Sequence, residues 1–357
     1  MKKSKILSVG CGGCGNNQLN TFLNTDVRYT GIFMNTNLRE MKDLSHFNKK
    51  RNCFYIPNAD GTGQQRDLAE EYLKEEAPKF AEMIKNFIDQ DYVIFKSSLN
   101  GGTGSKSIIM LAKVTKHFCP EKSLNIVGTL PSLNKDTIDF SNTIDTWNEL
   151  IDLKEKGIID SIQFIDNNKG FTEEEINLKS MQELNSGFDI MGGKIDEEDS
   201  KRVHKASGYK VVLKLNDKIK DTKLAITQAI SNSMFYIPEN LSCTHFIANI
   251  NSSKFNPNII EQYFKGAKTT FTKVNVKNEG STVIVLGGCD MPTEERDLIN
   301  EALNESININ ESKNENNNLK IRNEYKEELS PTKDDSLQEE TNEDLNKIFA
   351  NPNFWDE

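Results

Sequence analysis

Two glycine-rich segments constrain the fold of this 357-residue chain more than any other feature. The first covers residues 10–17 and follows an apolar run at 5–9, and the second covers residues 98–107 and follows an apolar run at 92–95. A stretch with helical periodicity comes after each segment. Glycine permits a close approach of the backbone to a ligand, and the first turn of a helix offers free N–H groups to phosphate. The pattern therefore predicts two phosphate-binding turns.

Short apolar runs alternate with helix-period segments through the first half of the chain. Helical spacing is clearest at residues 66–88, and we predict strands at residues 5–9, 31–34, 92–95, 124–130 and 161–165. This alternation is typical of the α/β class, with a Rossmann-like parallel sheet covered by helices on both faces. Ligands of such sheets bind at the carboxyl ends of the strands, where both glycine segments fall.

A single helix is predicted at residues 172–191, because Thr172 and Glu175 form a capping-box pattern and two glycines follow residue 191. Beyond it the sequence predicts a second, smaller α+β domain, with strands at 244–249 and on both sides of 278–280, and helices at 221–234, 258–265 and 293–304. We therefore divide the chain into residues 1–171, 172–199, 200–304 and a tail, 305–357.

The negative charge of the chain is concentrated in this tail. Residues 305–357 contain 14 acidic and 6 basic side chains, whereas residues 1–304 contain 40 and 38. The tail is predicted to be disordered because it is too polar to fold alone. Two apolar pairs near its end, Ile348-Phe349 and Phe354-Trp355, indicate either a docking peptide or terminal residues that touch the body.

The composition argues against several classes of protein. A net charge of −10 disfavours direct nucleic-acid binding over the whole surface. No apolar run approaches the about 20 residues of a membrane helix, so we expect a cytoplasmic protein without membrane contact. A basic stretch is expected to form a solvated face or a contact between copies; it comprises Lys201, Arg202, Lys205, Lys210, Lys214, Lys218, Lys220 and Lys223.

The first glycine segment permits alternative interpretations. Gly10, Gly12 and Gly15 satisfy the dinucleotide pattern G-x-G-x-x-G, but the second strand ends in Asn35-Thr36-Asn37 rather than in the acidic residue that binds ribose. An NAD-dependent oxidoreductase therefore stays an alternative only. Cys11 and Cys14 form a C-x-x-C pair, which suits redox or zinc chemistry, but no second pair exists. We favour small residues in a tight loop.

The motifs, taken in order, resemble the tubulin/FtsZ superfamily. The first segment is similar to its G-x-G-G-x-G-x-N loop and the second to G-G-G-T-G-[ST]-G, with Asn100 in place of the first glycine and Lys106 in place of the last. Four further stretches are similar to family motifs across residues 4–300 or so: Asn35-Thr36-Asn37, Gly61-Thr62-Gly63, residues 165–169 and residues 194–199. Within the superfamily the chain most resembles the TubZ branch of phage and plasmid DNA segregation.

The resemblance implies binding of GTP or GDP, with Mg²⁺ held through the nucleotide phosphates and no direct protein ligand to the metal. It implies a base contact from Asn177 and a ribose loop at 131–142, with Asp136, Asp139 and Asn142 as candidate contacts. The residues that it places around the phosphates are Gly12, Gly13, Cys14, Gly15, Asn16, Asn37, Gly101, Gly102, Thr103, Gly104 and Ser105.

The acids that follow the predicted helix, Asp196 and Asp199, are the expected catalytic residues. A helix of about 20 residues is about 30 Å long, so these acids lie far from a nucleotide bound near its start. They would act on the nucleotide of a neighbour stacked head to tail, and such a contact generates filaments. This matches the mechanism that the resemblance implies.

We therefore expect a cytoskeletal GTPase that polymerises with itself and moves plasmid or phage DNA. The expected partner is a TubR-like DNA-binding adaptor, with the tail as the candidate segment that binds it, because a near-neutral body suits indirect attachment to DNA. One alternative is an FtsZ-like cell-division GTPase. Another is a nucleotide-binding scaffold without hydrolysis, if the replacements at Asn100 and Lys106 disable the chemistry.

Overall fold

The computed structural model describes residues 1–57, 59, 61–316 and 343–356. Ten strands in this part of the chain form one sheet, with the order β3-β2-β1-β4-β5-β6-β7-β10-β8-β9. The strands are β1 (Ile6–Cys11), β2 (Thr30–Asn35), β3 (Cys53–Tyr55), β4 (Tyr92–Ser98), β5 (Ser123–Thr129), β6 (Ser161–Ile165), β7 (Gly208–Lys214), β8 (His245–Asn251), β9 (Phe271–Lys277) and β10 (Val283–Cys289).

Helices cover both faces of this sheet. The helices of the described residues are α1 (Gly12–Thr25), α2 (Arg39–Lys42), α3 (Arg66–Lys85), α4 (Thr103–Phe118), α5 (Thr137–Glu155), α6 (Glu173–Phe188), α7 (Glu197–His204), α8 (Thr222–Asn232), α9 (Pro257–Phe264), α10 (Thr293–Asn316), α11 (Glu343–Phe349) and α12 (Asn353–Asp356).

The first six strands pair in parallel, as the alternation of strands and helices predicts. Their carboxyl ends therefore meet at one edge of the sheet, and the turns from β1 into α1 and from β4 into α4 lie there side by side. The second half of the chain continues the same sheet, because β7 pairs in parallel with β6 while β10 runs antiparallel to β7 and β8.

Alternating strand residues build the core on the two faces. Leu7 and Val9 of β1 belong to the cluster that includes residues of α3, α4 and α5, whereas Ile6 belongs to the cluster with α1 and α6. The predicted capping box of the central helix is present, since the Thr172 side chain accepts from the backbone N–H of Glu175. The helix ends three residues earlier than predicted, at Phe188, so it spans 16 residues.

The sequence analysis did not predict two of the strands, β3 and β7. β3 has three residues and lies at the edge of the sheet, where a short run gives little pattern. β7 falls within the basic stretch that we expected to be solvated. That expectation is wrong for Lys210, which is 1% exposed and donates to the Tyr92 hydroxyl at 2.8 Å. Both faces of β7 are covered over residues 208–213, so this lysine is buried with its neighbours, and burial lowers its pKa to about 7.

The predicted boundary of the tail at residue 305 is also wrong, because α10 continues to Asn316. The helix packs against α5, where the hydroxyls of Thr137 and Ser306 lie 2.5 Å apart, and no glycine or proline interrupts it. Residues 317–342, the middle of the predicted disordered tail, lie outside the described residues. The terminal apolar pairs contact the body, as one of the two interpretations expected.

Within the described ranges, no helix combines the length and the apolar character that a membrane-spanning helix requires.

Candidate functional site

The two glycine segments touch each other at the carboxyl edge of the sheet. Gly12 has φ +70°, and a Cβ built on it would lie 3.1 Å from both the Cα and the N of Gly104. A Cβ on Gly104 would lie 2.3 Å from Oγ of Ser97 and 2.7 Å from the carbonyl oxygen of Cys11. No side chain fits at this contact. The structure thus brings the two predicted phosphate-binding turns together, with the N-termini of α1 and α4 beside each other.

Three threonine hydroxyls converge next to this contact. Oγ1 of Thr103, at the start of α4, lies 3.1 Å from Oγ1 of Thr36 and 3.1 Å from Oγ1 of Thr62. Thr36 follows β2 and Thr62 precedes α3, so three separate turns meet at one point. The motif resemblance indicated these turns, but only Thr103 was a predicted site residue. Hydroxyl oxygens are hard ligands of the kind that Mg²⁺ accepts.

Glu40 is a further residue of the site, and no sequence motif indicated it. Its carboxylate accepts from Nδ2 of Asn35 at 2.8 Å and from Nδ2 of Asn37 at 3.4 Å. A Cβ on Gly13 would lie 3.0 Å from its Oε2 atom. The predicted residue Asn37 thus lies beside the first glycine segment, and Glu40 holds it there.

Two predicted ligand residues of the first segment have structural roles. Asn16 is 1% exposed; its Nδ2 donates to the carbonyl of Met34 at 3.0 Å and its Oδ1 accepts from the Met34 N–H at 3.3 Å. Its side chain therefore fixes the end of β2 to α1. Burial raises the pKa of the Cys14 thiol to about 11, and the nearby carboxylate of Glu173 acts in the same direction. Burial also raises the pKa of Cys11, so neither thiol has the depressed pKa of a reactive cysteine.

Two of the predicted ribose contacts, Asp139 and Asn142, form hydrogen bonds to Asn100 of the second glycine segment. Asp139 Oδ1 accepts from Asn100 Nδ2 at 2.5 Å and from Gln64 Nε2 at 3.1 Å. Asn142 Nδ2 donates to the carbonyls of Gln64 at 2.9 Å and Asn100 at 3.0 Å. Both side chains are buried, so their hydrogen bonds position the loop. Asp136 is exposed and caps α5.

The departures of the second segment from the family pattern also have structural explanations. Asn100 forms the buried bond to Asp139 described above. Lys106 points away from the glycines, with Nζ 2.7 Å from Glu70 and 3.0 Å from Glu149. Ser105 is buried, and its hydroxyl donates back to the carbonyl oxygens of Gly101 and Gly102.

Helix α6 connects the two edges of the sheet. It begins after β6, at the carboxyl edge, where the half-buried Asn177 lies in its second turn. It ends at Phe188, and the carboxylate of the next residue, Asp189, lies 2.6 Å from Nζ of Lys3, just before β1. The end of α6 is therefore at the amino edge. With 16 residues the helix is about 24 Å long, somewhat shorter than the sequence suggested.

The predicted catalytic acids lie beyond this amino-edge end. Asp196 caps α7, and its Oδ1 accepts from the Asp199 N–H at 2.8 Å, while Oδ2 of Asp199 accepts from the Asp196 N–H at 3.2 Å. Lys273 of β9 lies 3.6 Å from the same Oδ2 of Asp199. Asp196 is exposed and Asp199 is partly so. The structure does not bring these acids together with the glycine segments.

The geometry matches that of a known family. Residues 5–172 match the model described as Tubulin/FtsZ family, GTPase domain. This region is a tubulin/FtsZ-family GTPase domain. Of the curated proteins, the tubulin-like protein TubZ of Clostridium botulinum C phage is 29% identical over 239 residues, 65% of each chain. The match thus spans just under two thirds of that relative, and it spans less than half of the other curated relatives.

Solved structures extend the likeness to the whole described fold. Tail-truncated TubZ of Clostridium botulinum phage c-st aligns with a TM-score of 0.78 and 24% identity, over 86% of this chain and 99% of that one. TubZ of Bacillus thuringiensis serovar israelensis, solved as GTPγS-form and GDP-form protofilaments, gives TM-scores of 0.71 and 0.74 at 14% identity. These alignments cover 87% and 92% of this chain and 94% and 95% of those chains. The tubulin/FtsZ fold that the motifs predicted is therefore confirmed.

Proposed function

We propose that this chain is a cytoplasmic GTPase that assembles head to tail into dynamic filaments and hydrolyses GTP between subunits. The observation that carries the proposal is the placement of glycine turns and acids at opposite ends of α6 in a tubulin/FtsZ-family chain. In this proposal residues 1–171 bind the nucleotide, residues 172–199 carry the central helix and the acidic loop, and the remaining domain runs from residue 200 to the end of α10 at Asn316.

The backbone of the two glycine turns binds the phosphates, because the N-termini of α1 and α4 offer unpaired N–H groups to anions. The contacting residues are Gly12, Gly13, Gly15, Gly101, Gly102, Thr103, Gly104 and Ser105. Asn37 borders the phosphates, Asn177 faces the base and Asp136 the ribose. Cys14, Asn16 and Asn142 support these turns. Thr36, Thr62 and Thr103 would offer oxygens to a phosphate-bound Mg²⁺, which neutralises phosphate charge.

Asp196 and Asp199 act on the nucleotide of the next subunit. About 24 Å of helix separates them from their own glycine turns, so a single chain does not contain a complete hydrolytic site. A head-to-tail contact brings the acids of one subunit to the phosphates of its neighbour and repeats along a filament. A carboxylate there orients the attacking water and accepts its proton. The protofilaments of the structurally similar Bacillus thuringiensis TubZ support this arrangement.

The filament moves plasmid or phage DNA through a DNA-bound, TubR-like adaptor. The likeness to a phage TubZ supports this role, and the nearly neutral charge of residues 1–304 suits an indirect attachment to DNA better than a direct one. Deletion of the gene from its replicon should raise the loss of that DNA per generation. Unchanged inheritance would contradict the partition role without affecting the proposed enzymatic activity.

The GTPase rate of the wild-type chain, measured against protein concentration, tests the shared site. We expect the rate per molecule to rise steeply above a threshold concentration, because the site needs two subunits. A rate per molecule that is constant from well below to well above the assembly threshold would refute the proposal. Identification of the nucleotide released from the denatured protein adds a check, since a nicotinamide dinucleotide would favour the oxidoreductase.

A further inference from the structure

The end of the chain packs on a face of the nucleotide-binding half. We call residues 343–356 the C-terminal segment, and we call the surface formed by α3 and α4 the α3–α4 face. Leu345 and Phe349 of the segment are only 4% and 7% exposed, and they belong to the same core cluster as residues of α3 and α4. This degree of burial is typical of an interface with a specific fit.

Aromatic contacts dominate this interface. The ring of Phe349 lies 5.6 Å from that of Phe118, and the ring of Phe354 lies 5.1 Å from that of His117. Trp355 stacks on Phe349 at 5.7 Å, and its Nε1 donates to the Phe349 carbonyl at 3.1 Å. The rings of Phe349, Phe354 and Trp355 thus form one aromatic cluster in which each ring contacts the other two. Large aromatic anchors of this kind provide most of the binding energy in protein interfaces.

Two lysines of the α3–α4 face lie against the segment. Nζ of Lys113 donates to the carbonyl of Trp355, and Nζ of Lys74 lies 6.0 Å from the Trp355 ring. Residues 343–357 contain four acidic side chains and one lysine, which gives a net charge of −3. These two cations therefore favour the approach of an acidic, aromatic peptide.

The docked segment also borders the structure that supports the second glycine turn. Trp355, Lys106, Glu70 and Glu149 line one cavity of about 290 Å³. Lys106 pairs with both of these glutamates and directly follows Ser105, whose hydroxyl bonds the carbonyls of the glycine turn. Departure of the segment would expose this cluster of charges to water and weaken its pairs.

We propose that the α3–α4 face is a docking site for the chain's own C-terminal segment, a separable peptide ligand that supports the second glycine turn from behind. The segment follows residues 317–342, a connection of 26 residues. Because the connection makes docking intramolecular, a modest intrinsic affinity is sufficient to keep the site occupied. The part of the proposal that concerns nucleotide rests on the proposed function, whereas docking itself does not.

A full-length chain with a specific protease site inserted between residues 317 and 342 tests the docking. The chain folds before it is cut, so the result does not depend on the folding of a truncated variant. After cleavage we expect the released fragment to co-elute with the body at high concentration and to exchange with a fluorescent synthetic peptide of residues 343–357. Elution of the fragment as a separate species at all concentrations would overturn the proposal.

Variants of the peptide provide the matched comparison. Phe349→Ala removes the central ring and should weaken binding about 30-fold or more, as expected for a buried anchor. Asn353→Ala changes an exposed residue of the same segment and should bind within about 2-fold of wild type. Equal binding of the two variants would contradict the predicted fit. A GTP-free dimer that the peptide dissociates would show that the segment docks on a second copy, which also overturns the proposal.

The support of the glycine turn is measured with the uncut chain. Phe349→Ala should lower the affinity for GDP several-fold relative to wild type, and Asn353→Ala should leave it unchanged. Equal affinities in all three proteins would refute the coupling between the segment and the turn. Absence of guanine-nucleotide binding in wild type would refute the proposed function instead, while the peptide experiment still decides the docking.

Discussion

The two ends of α6 differ in how completely one chain builds them. At the carboxyl edge, the turns after β1, β2 and β4 and the turn before α3 are joined by buried amide and hydroxyl bonds, such as those of Asn16 and Asn142. At the amino edge, Asp196 and Asp199 bond chiefly to each other's backbone N–H groups; Asp196 is exposed, and the Asp199 side chain, beside Lys273, is 15% exposed.

Under the proposed mechanism, the carboxyl edge binds the nucleotide and the acids at the amino edge take part in its hydrolysis. A site fixed from behind by its own chain is preorganised, so it binds a ligand without the cost of ordering its loops. Under the proposed mechanism, the two acids at the start of α7 act only when the surface of a neighbouring subunit covers them. The monomer should therefore bind nucleotide well and hydrolyse it slowly.

Asp199→Asn should break the amino-edge function most severely. The amide oxygen still accepts the hydrogen bond of the Asp196 N–H, so the capping box is retained while the carboxylate is lost. We expect GTP hydrolysis in filaments to fall by about 100-fold or more, since a proton-accepting group typically contributes that much. GTP affinity and sedimentable polymer should persist. Asp221→Asn, which changes the acid that caps α8, is the control and should hydrolyse at nearly the wild-type rate.

Gly104→Ala should break the carboxyl edge. The added methyl group would lie 2.3 Å from Oγ of Ser97 and 2.7 Å from the Cys11 carbonyl, so the two glycine turns must separate. Overpacking of this kind costs about 1–3 kcal/mol, which corresponds to a loss of about 5- to 150-fold in nucleotide affinity if the strain falls on the bound state. Gly266→Ala adds the same methyl group where no atom lies within 4 Å. Isothermal titration with GDP should show normal binding for Gly266→Ala; similar affinities of both variants would contradict the close contact.

Glu183 joins the helix between the two ends of α6 to the chain after α8. The pH dependence of unfolding measures how much this buried carboxylate contributes to stability. Its carboxylate accepts from Oγ of Ser233 at 2.5 Å and from the Met234 N–H at 3.0 Å. Burial raises its pKa from 4.5 to about 7, although these hydrogen bonds and the charge of Lys169 lower it. The folded state therefore retains a proton that the unfolded chain releases, so stability falls as pH rises from about 4.5 to about 7.

Between pH 5 and pH 8 this group should remove about 2–3 kcal/mol from the free energy of unfolding. Denaturant unfolding of the wild type and of Glu183→Gln at both values isolates its contribution from that of the other buried groups. The wild type should lose that much more stability than the variant over this range. Parallel pH profiles would show that Glu183 titrates normally.

Lys273→Ala should have the smallest effect. Its Nζ lies 3.6 Å from Asp199 Oδ2, but the lysine side chain is 44% exposed, and such pairs contribute at most about 1 kcal/mol. We expect a GTPase rate within about 3-fold of wild type at saturating protein. A loss comparable to that of Asp199→Asn would contradict this expectation. It would show that Lys273 either orients Asp199 within its own chain or contacts the neighbouring subunit.

The parts of the fold that the sequence predicted are those with local causes. A strand, a glycine turn and a helix in succession define both phosphate-binding turns, and the parallel sheet then places them together. The capping box of Thr172 is equally local, and the start of α6 was correct within one residue. The roles of Asp139 and Asn142 were not accessible in this way, because Gln64 lies 75 and 78 residues from them in the chain.

Burial of charge was the other source of error. Lys210 appeared to be one more cation in a basic stretch, yet it lies in β7, a strand whose residues 208–213 are all buried. The count of lysines contains no information about this burial when the strand itself is not recognised. Likewise, the polar composition after residue 304 hid the continuation of α10, whose contact with α5 there joins the hydroxyls of Thr137 and Ser306.

The opposite placement of the glycine turns and the acids has a consequence for a finite filament. Under the proposed mechanism, n stacked subunits contain n − 1 complete sites. One terminal subunit therefore keeps its GTP until another arrives, and the other terminal subunit presents acids with nothing to act on. The chain thus gives a filament two chemically unlike tips and a built-in delay between arrival and hydrolysis. Under this mechanism subunits would add and dissociate at different rates at the two ends, and the delay before hydrolysis would maintain that difference. A filament of identical subunits would then grow in one direction.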